Sequence, residues 1–188
     1  IAENRIKLKF RFPYPTNQFS DRGVNYTNSD LHETTATEAS ENSFVFHRIL
    51  NNDRYYVTAK TNTKSQLNKI EDHYFTITPV AQDNFEVVVD FSPTKINTES
   101  NFNQLKQNSK SAWENYWLSG GIVDFSDCTD PRALELERRV ILSQYLTRVQ
   151  CAGNYPVQET GLTYNSWYGK PHMEMYWWHG AHYPLWGK

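Results

Sequence analysis

Residues 151–188 bring together side chains that could bind a polar, ring-shaped ligand. They hold four of the six tryptophans, three of the six histidines and both methionines of the chain. A packed core would normally use Leu, Ile and Val, yet this stretch has two Leu, one Val and no Ile. Because Trp and Tyr carry a polar group beside a large apolar ring, this composition favours a ligand site over a plain core.

A helix is predicted over residues 171–183, before Pro184 interrupts it. On a helix, Glu174 shares a face with Trp177 and Trp178 at i+3 and i+4. A carboxylate accepts hydrogen bonds from neighbouring hydroxyls, and an indole stacks on the apolar face of a sugar. The pattern therefore suits a carbohydrate. The residues predicted to bind substrate are Trp167, His172, Glu174, Trp177, Trp178 and His179.

The same residues have alternative uses. Glu174 could be a buried polar residue that is satisfied inside an aromatic core. His179 and His182 lie three positions apart and could reach one metal ion, with Glu174 or His172 as a third ligand. The spacing is not that of an HExxH motif, so we predict no metal and no cofactor. Ser166 lacks the Gly-x-Ser-x-Gly elbow of a nucleophile.

Hydrolysis of a glycosidic bond needs two carboxyl groups that stand about 5–10 Å apart across the bond. Glu174 is the candidate within the predicted site, and Glu159 is the only other acid in residues 151–188. A partner beyond Lys188 is an equal alternative. The catalytic residues therefore stay unassigned, with Glu174 the only candidate inside the chain.

Composition excludes several classes of protein. The chain has 188 residues, 38% hydrophobic and 15% aromatic, with a net charge of −2 and no basic patch, so no nucleic-acid partner is expected. No run of about 18 apolar residues predicts a membrane span. Cys128 and Cys151 flank a predicted helix of roughly 30 Å, too long for a disulfide. Free thiols leave periplasm and cytosol open; we expect a periplasmic or secreted location rather than a cytoplasmic one.

Short strands are predicted through the first half of the chain. Residues 5–12 alternate as a half-buried antiparallel strand does, with an apolar face of Ile6, Leu8, Phe10 and Phe12. Further strands are predicted at 32–38, 43–49, 54–61, 73–79 and 84–91. The last has one face formed by Phe85, Val87, Val89 and Phe91. The turn signal at residues 51–53 indicates a hairpin. This pattern favours an antiparallel β-sandwich, in which we expect His32, His47 and His73 to be structural.

Two longer helices are predicted in the second half. The first covers residues 98–118 and has a narrow apolar stripe, as in a helix that lies on a surface. The second begins after Thr129-Asp130-Pro131 and runs to about residue 150, with apolar side chains over more than half of its circumference. Such a helix is buried between layers, yet only 38 residues follow it. We therefore expect the natural polypeptide to continue past Lys188.

A group of motifs resembles the bacterial six-hairpin glycosidases, and in particular glycoside hydrolase family 65. They are LERRV at 136–140, LSQYL at 142–146, QETGL at 158–162, NSWYGK at 165–170, HMEM at 172–175 and WWH at 177–179. The resemblance is strongest over residues 111–187 and architectural before that. It implies an α+β chain with an N-terminal antiparallel β-sandwich over 1–96 and a linker helix over 97–121. Residues 122–188 would be the first helices of an incomplete (α/α)6 barrel.

The resemblance also implies a function. Relatives cleave a glycosidic bond by acid–base hydrolysis, with inversion, and some carry out phosphorolysis. An aromatic and acidic motif near the start of their barrel binds sugar in the central subsite. Its counterpart here is formed by His172, Glu174, Trp177 and Trp178, although Glu174 stands where those proteins have Asp.

The general acid of these families lies further along the barrel. We therefore expect residues 1–188 alone to be inactive, and their partners to be an oligo- or polysaccharide substrate and the remainder of the catalytic barrel. A non-catalytic carbohydrate-binding β-sandwich is the alternative, and it predicts saccharide binding by residues 1–96 alone. A purely structural or interaction domain would bind no saccharide anywhere.

Overall fold

The computed structural model describes residues 7–80, 84–96 and 101–188. The chain forms two compact units. The first, called the β unit, consists of Ile1–Pro15 and Val24–Ser109, and the second, called the helical unit, of Thr16–Gly23 and Lys110–Lys188. The described residues contain seven strands in two antiparallel sheets and three α-helices, which confirms the α+β class. The domain boundaries given above stay predictions.

The β unit contains one three-stranded and one four-stranded sheet, ordered β1-β6-β5 and β2-β3-β4-β7. The strands are β1 (Leu8–Arg11), β2 (Glu33–Ser40), β3 (Ser43–Leu50), β4 (Asp53–Thr61), β5 (Ser65–Glu71), β6 (Tyr74–Pro79) and β7 (Val87–Ser92). Strand β5 was not predicted, because Leu67 and Ile70 stand three apart and fall on opposite faces. Leu50 pairs with Asp53 across a two-residue turn, which confirms the hairpin. Predicted strand residues 5 and 6 lie outside the described ranges.

Phenylalanines fill the space between the two sheets. Phe46 of β3 is fully buried and its ring lies 4.8 Å from that of Phe10 and 5.2 Å from that of Phe75. The core cluster consists of Phe10, Phe12, Phe44, Phe46, Val57, Ala59, Phe75 and Ile77. These residues come from both sheets and from alternate strand positions, as the period of two requires. The packing is that of a β-sandwich.

The outer strand of the four-stranded sheet extends past the sheet that covers the others. Phe46 pairs with Val57, and Val57 pairs with Phe91. Directly paired residues point to the same face of a sheet, so Phe91 belongs to the core-facing row. It is nevertheless 71% exposed. The predicted shared face of β7 therefore continues the core-facing row of β3 and β4, but Val89 and Phe91 are exposed, and Val88 on the opposite face is the buried residue of this strand.

A buried arginine links both sheets of the β unit. The Arg48 guanidinium is fully buried, and its Nη2 donates to His32 Nδ1 at 2.7 Å. The His32 ring stacks on the His73 ring at 3.7 Å, and Thr34 Oγ1 lies 2.7 Å from His73 Nδ1. Within the described residues, none of the hydrogen-bond partners of Arg48 is a carboxylate. His32 must therefore stay neutral to accept from this cation.

The helical unit contains α2 (Ala133–Cys151), α3 (Met173–Gly180) and the end of α1 (Phe102–Leu118). Asp130 orders the turn just before α2, because its Oδ1 accepts from Arg132 N at 2.9 Å. Arg139 pairs with Glu135 at 2.7 Å, as the i,i+4 spacing predicts. Both cysteine thiols are free, as predicted. The predicted α1 positions 98–100 lie outside the described ranges.

Helix α2 is much more exposed than its sequence predicts. Leu134 is 69% exposed and Leu136 is 52% exposed, and only Ala133 and Gln144 are buried. The prediction of a helix buried between layers is wrong for the described residues, because α1 covers one side and α3 has only eight residues. Three α-helices do not make a barrel, which stays a prediction. No helix in the described ranges has the length and hydropathy of a membrane span.

Gly120 allows the end of α1 to approach the last turn of the chain. Its φ is +70°, and an added Cβ would lie 2.1 Å from Trp186 O. We expect Gly120→Ala to lower the free energy of unfolding of the helical unit by about 2 kcal/mol, from the left-handed backbone and the overlap together. Urea unfolding followed by tryptophan fluorescence measures this unit alone, because all six tryptophans lie at or after residue 113.

Gly23 provides the matched control for this substitution. It has a φ of +66° and nothing within 4 Å of an added Cβ. Gly23→Ala should therefore cost only the backbone term, about 1 kcal/mol. Equal losses in the two variants would show that the approach of Gly120 to Trp186 does not contribute to stability.

Candidate functional site

Gln158 organises the loop that precedes α3. Its Nε2 donates to Asn165 Oδ1 at 3.1 Å and to Gly161 O at 2.9 Å. Its Oε1 accepts from Ser166 N at 3.3 Å. A single amide side chain thus joins the two ends of the loop, and the residues that it joins belong to the QETGL and NSWYGK motifs.

A segment from near the start of the chain holds the same loop from outside. Asp21 and Asn165 exchange both backbone hydrogen bonds, each 2.9 Å long. Tyr168 N donates to Phe19 O at 3.0 Å. The carboxylate of Asp21 accepts from Thr16 N at 2.5 Å and from Gly23 N at 2.7 Å. The backbone hydrogen bond from Thr16 is the main cause of the lowered pKa of Asp21.

The loop holds two aromatic residues in a strained backbone conformation. Trp167 and Tyr168 have φ values of 49° and 57°, and Gly169 follows with 70°. The left-handed region is rare for bulky residues and costs about 1–3 kcal/mol each. Two hydrogen bonds hold the loop in this conformation: Tyr168 N donates to Phe19 O, and Ser166 N donates to Gln158 Oε1. Trp167 and Tyr168 stay 50% and 57% exposed, so the strain keeps two rings at the surface.

Two predicted site residues meet beside this loop. The Trp167 and His172 rings lie 5.6 Å apart, and Phe19 packs edge-on against Trp167 at 4.7 Å. His172 Nε2 lies 3.6 Å from Glu159 Oε2. Glu159 therefore has a partner of its own, and we call Phe19, Glu159, Trp167, Tyr168 and His172 the loop cluster.

A cavity of about 680 Å³ opens elsewhere in the helical unit, within the range of roughly 300–1,000 Å³ typical of small-molecule sites. The last turn of α2, residues 152–157 and α3 form its walls. Four rings line it, those of Tyr155, Tyr176, Trp177 and Tyr183. Its polar and charged lining includes Thr147, Arg148, Asn154, His179 and Lys188. Of the predicted site residues, Trp177 and His179 lie here.

A hydrogen-bonded tyrosine pair lies at one end of the cavity. Tyr183 Oη donates to Gln144 O at 2.7 Å and lies 2.8 Å from Tyr116 Oη. Burial and then the bond to Tyr116 raise the pKa of Tyr183 above its ordinary value. Lys188 Nζ donates to Ser119 O at 2.5 Å and also to Tyr116 O, and burial lowers the pKa of Lys188. Hydrogen bonds thus join Tyr116, Tyr183 and Lys188 at this end of the cavity.

Glu174 and Trp178 lie away from the cavity. At about 100° per residue, the four cavity-lining positions of α3 fall within one half of its circumference; they are Tyr176, Trp177, His179 and Gly180. Glu174 and Trp178 fall on the other side. Trp178 is 67% exposed and Glu174 is exposed too. The structure thus separates the six predicted residues into three sets: Trp167 with His172, Trp177 with His179, and Glu174 with Trp178.

The histidines of this region do not form a metal centre. Across the described ranges, no group of three or more His, Cys, Asp and Glu side chains could hold a metal ion. His182 Nδ1 accepts a hydrogen bond from Trp186 Nε1 at 3.1 Å, which fixes the indole. His179 Nδ1 is buried and has no hydrogen-bond partner among the residues that the structure describes, a state that carries a cost of about 1–3 kcal/mol.

Sequence reasoning missed most of the cavity lining. Tyr176 could have been predicted as a lining residue, because it directly precedes Trp177 in the aromatic stretch. Arg148 and Lys188 could not have been predicted to line one cavity, because they lie 40 positions apart in the sequence and come together only when the chain folds. Phe19 likewise reaches Trp167 only in three dimensions.

No known protein family, curated protein or solved structure matches this chain. The resemblance to six-hairpin glycosidases therefore stays a prediction, and so do the activity and the substrate that it implies. The geometry of the cavity and of the loop cluster is what remains to support a function.

Proposed function

We propose that the helical unit binds an oligo- or polysaccharide as part of a glycoside hydrolase. The observation that carries this proposal is the cavity, whose rings and polar groups coincide with part of the predicted site. Trp177 is 69% exposed and Tyr155 is 85% exposed, so each presents ring surface to a ligand. Sugars have both apolar C–H faces and hydroxyls, and this lining matches both.

Hydrolysis would need carboxyl groups that these residues do not present to the cavity. Neither Glu159 nor Glu174 lines it, and Glu159 already faces His172. Two carboxyl groups must flank the scissile bond. We therefore propose that the general acid comes from a further part of the catalytic barrel. The exposed leucines of α2, such as Leu134 at 69%, support a further layer of protein against this helix.

Trp177 and Trp178 allow a matched test of saccharide binding. We expect Trp177→Ala to weaken binding at least tenfold, because it removes the largest ring of the cavity, and large aromatic anchors carry about 2 kcal/mol or more in binding sites. Trp178→Ala should change it little, because this neighbour is equally exposed but lines no described cavity wall. Isothermal titration of the full chain with a panel of neutral and acidic oligosaccharides measures both.

Several outcomes would contradict the proposal. If no oligosaccharide of the panel binds, the helical unit is not a saccharide site. If Trp178→Ala weakens binding and Trp177→Ala does not, the ligand lies on the other side of α3. Equal binding by both variants and the unchanged chain would place the saccharide away from α3 altogether.

The β unit offers less support for the alternative of a carbohydrate-binding sandwich. A cavity of about 400 Å³ lies on it, lined by Ala39, Ser40, Asn42, Ser43, Val45, Thr58, Lys60, Lys95 and Ile96. This lining contains no aromatic ring on which a sugar could stack. Saccharide binding is accordingly assigned to the helical unit.

A further inference from the structure

We infer that the cavity of the helical unit selects a saccharide that carries an acidic group, either a carboxylate or a sulfate ester. This inference rests on the proposed saccharide function and specifies its substrate class. The described residues that line the cavity include Arg148, Lys188 and His179 but no Asp or Glu. The chain as a whole has slightly more acidic than basic residues, so a lining with cations and no carboxylate is a local feature.

Arg148 differs from the other arginines of α2 in having no carboxylate partner. Arg138 and Arg139 both pair with Glu135 at 2.7 Å, and Arg132 just before the helix pairs with Asp130 at 2.8 Å. Arg148 makes no ion pair with any described residue; its guanidinium instead lies 5.5 Å over the ring of Tyr116. An arginine is always protonated. Its charge is therefore left for a ligand.

Lys188 adds a second cation at the same cavity. Its Nζ donates to the carbonyl oxygens of Tyr116 and Ser119 and lies 4.2 Å over the Tyr116 ring. These partners hold the ammonium in place but carry no net charge. Among the described residues no carboxylate pairs with it. Two cations thus converge on Tyr116 without a neutralising acid.

An acidic sugar can contact both the aromatic ring and the cations of the cavity at once. Its pyranose ring can stack on Trp177 while its anionic group accepts hydrogen bonds from the Arg148 guanidinium, whose planar fork matches the oxygens of a carboxylate or sulfate. A neutral sugar would make only the stacking contact and hydroxyl hydrogen bonds. Charge-assisted hydrogen bonds are about twice as strong as neutral ones, so the acidic ligand should bind more tightly.

The experiment compares three probes on the full chain by isothermal titration. They are a neutral glucose hexamer, a galacturonic acid hexamer and a sulfated galactose hexamer of the same length. We expect at least one acidic probe to bind about tenfold more tightly than the neutral one, and this advantage to shrink as salt is raised. Whichever acidic probe binds more tightly identifies the carboxylate or the sulfate as the recognised group.

Charge variants locate the effect. Arg148→Gln and Lys188→Gln should each weaken binding of the acidic probes much more than binding of the neutral one, and so remove most of the acidic preference. Lys170→Gln is the matched control, because it removes one positive charge from an exposed lysine of the same unit that does not line the cavity. It should leave all three affinities unchanged.

The outcomes separate this inference from the proposed function. If the neutral hexamer binds as tightly as both acidic ones, the acidic preference is overturned and saccharide binding stands. If the acidic preference survives both Arg148→Gln and Lys188→Gln, the anion is recognised elsewhere and the inference fails. If no hexamer binds, the saccharide function fails first.

Discussion

Replacing Phe46 by alanine should lower the free energy of unfolding of the β unit by about 4 kcal/mol, the middle of the range for deleting a buried phenylalanine ring. Phe46 has no exposed surface. Its ring is within 5.5 Å, centroid to centroid, of those of Phe10, Phe12 and Phe75. Three aromatic neighbours from the opposite side of the sandwich cannot all collapse into the space left behind, so a cavity remains.

Phe91 provides a control in the same cross-strand row. It points to the same face of the same sheet but is 71% exposed, so Phe91→Ala should cost less than about 0.5 kcal/mol. Hydrogen exchange followed by mass spectrometry measures both variants, because peptides from β3 and β4 report on the β unit alone. Similar losses of stability in Phe46→Ala and Phe91→Ala would show that strand β7 is covered in solution.

Acid should destabilise the β unit through His32. Burial, followed by the charge of Arg48 and the proximity of His73, lowers the pKa of His32 from its ordinary 6.5 to about 4. Between pH 6.5 and about pH 4, His32 is therefore protonated in the unfolded chain but stays neutral in the folded chain. The contribution of neutral His32 to the stability of the β unit is therefore complete above pH 6.5, and it is lost as the pH falls to about 4. A shift of this size corresponds to about 3 kcal/mol.

The variant His32→Asn separates this effect from the titration of carboxylates. The Asn side chain can offer Arg48 an acceptor oxygen near the position of His32 Nδ1, but it does not titrate. Urea unfolding of both proteins, followed by far-ultraviolet circular dichroism from pH 7 to pH 4, should show a stability difference that narrows by about 3 kcal/mol on acidification. If the stability difference between the two proteins stays constant from pH 7 to pH 4, His32 is protonated as easily in the folded chain as in the unfolded one.

Much of the β unit could be predicted from its sequence. Alternation placed Phe10 and Phe12 on the buried face, and the turn signal at residues 51–53 placed the hairpin. Strand β5 had no alternation to detect, because its position at the edge of a sheet imposes little selection on its faces. The exposure of Phe91 depends on how many strands stand opposite, which local pattern does not encode.

The candidate site could be predicted only in part. Trp177 and His179 were both among the predicted residues, but helical spacing places them on different faces, and only the folded structure brings both to one cavity. The two cations at the cavity are Arg148 of α2 and Lys188. No helix or strand periodicity relates positions that lie 40 residues apart in the sequence. Glu174 seemed to share the tryptophan face by spacing alone, yet the cavity lies on the other side of α3. Which side of a helix meets a cavity is decided by tertiary packing.

The pairing of Asp21 with Asn165 has a consequence for the order of synthesis. Thr16–Gly23 leaves the ribosome early, but its partner loop is made roughly 140 residues later, on the order of ten seconds at about 5–20 residues per second. During that interval Phe19 and the backbone of Asp21 have no loop to pair with, while β1 to β7 are completed and can pair with one another. The first-made part of the helical unit must therefore wait until Asn165 and its loop have been translated.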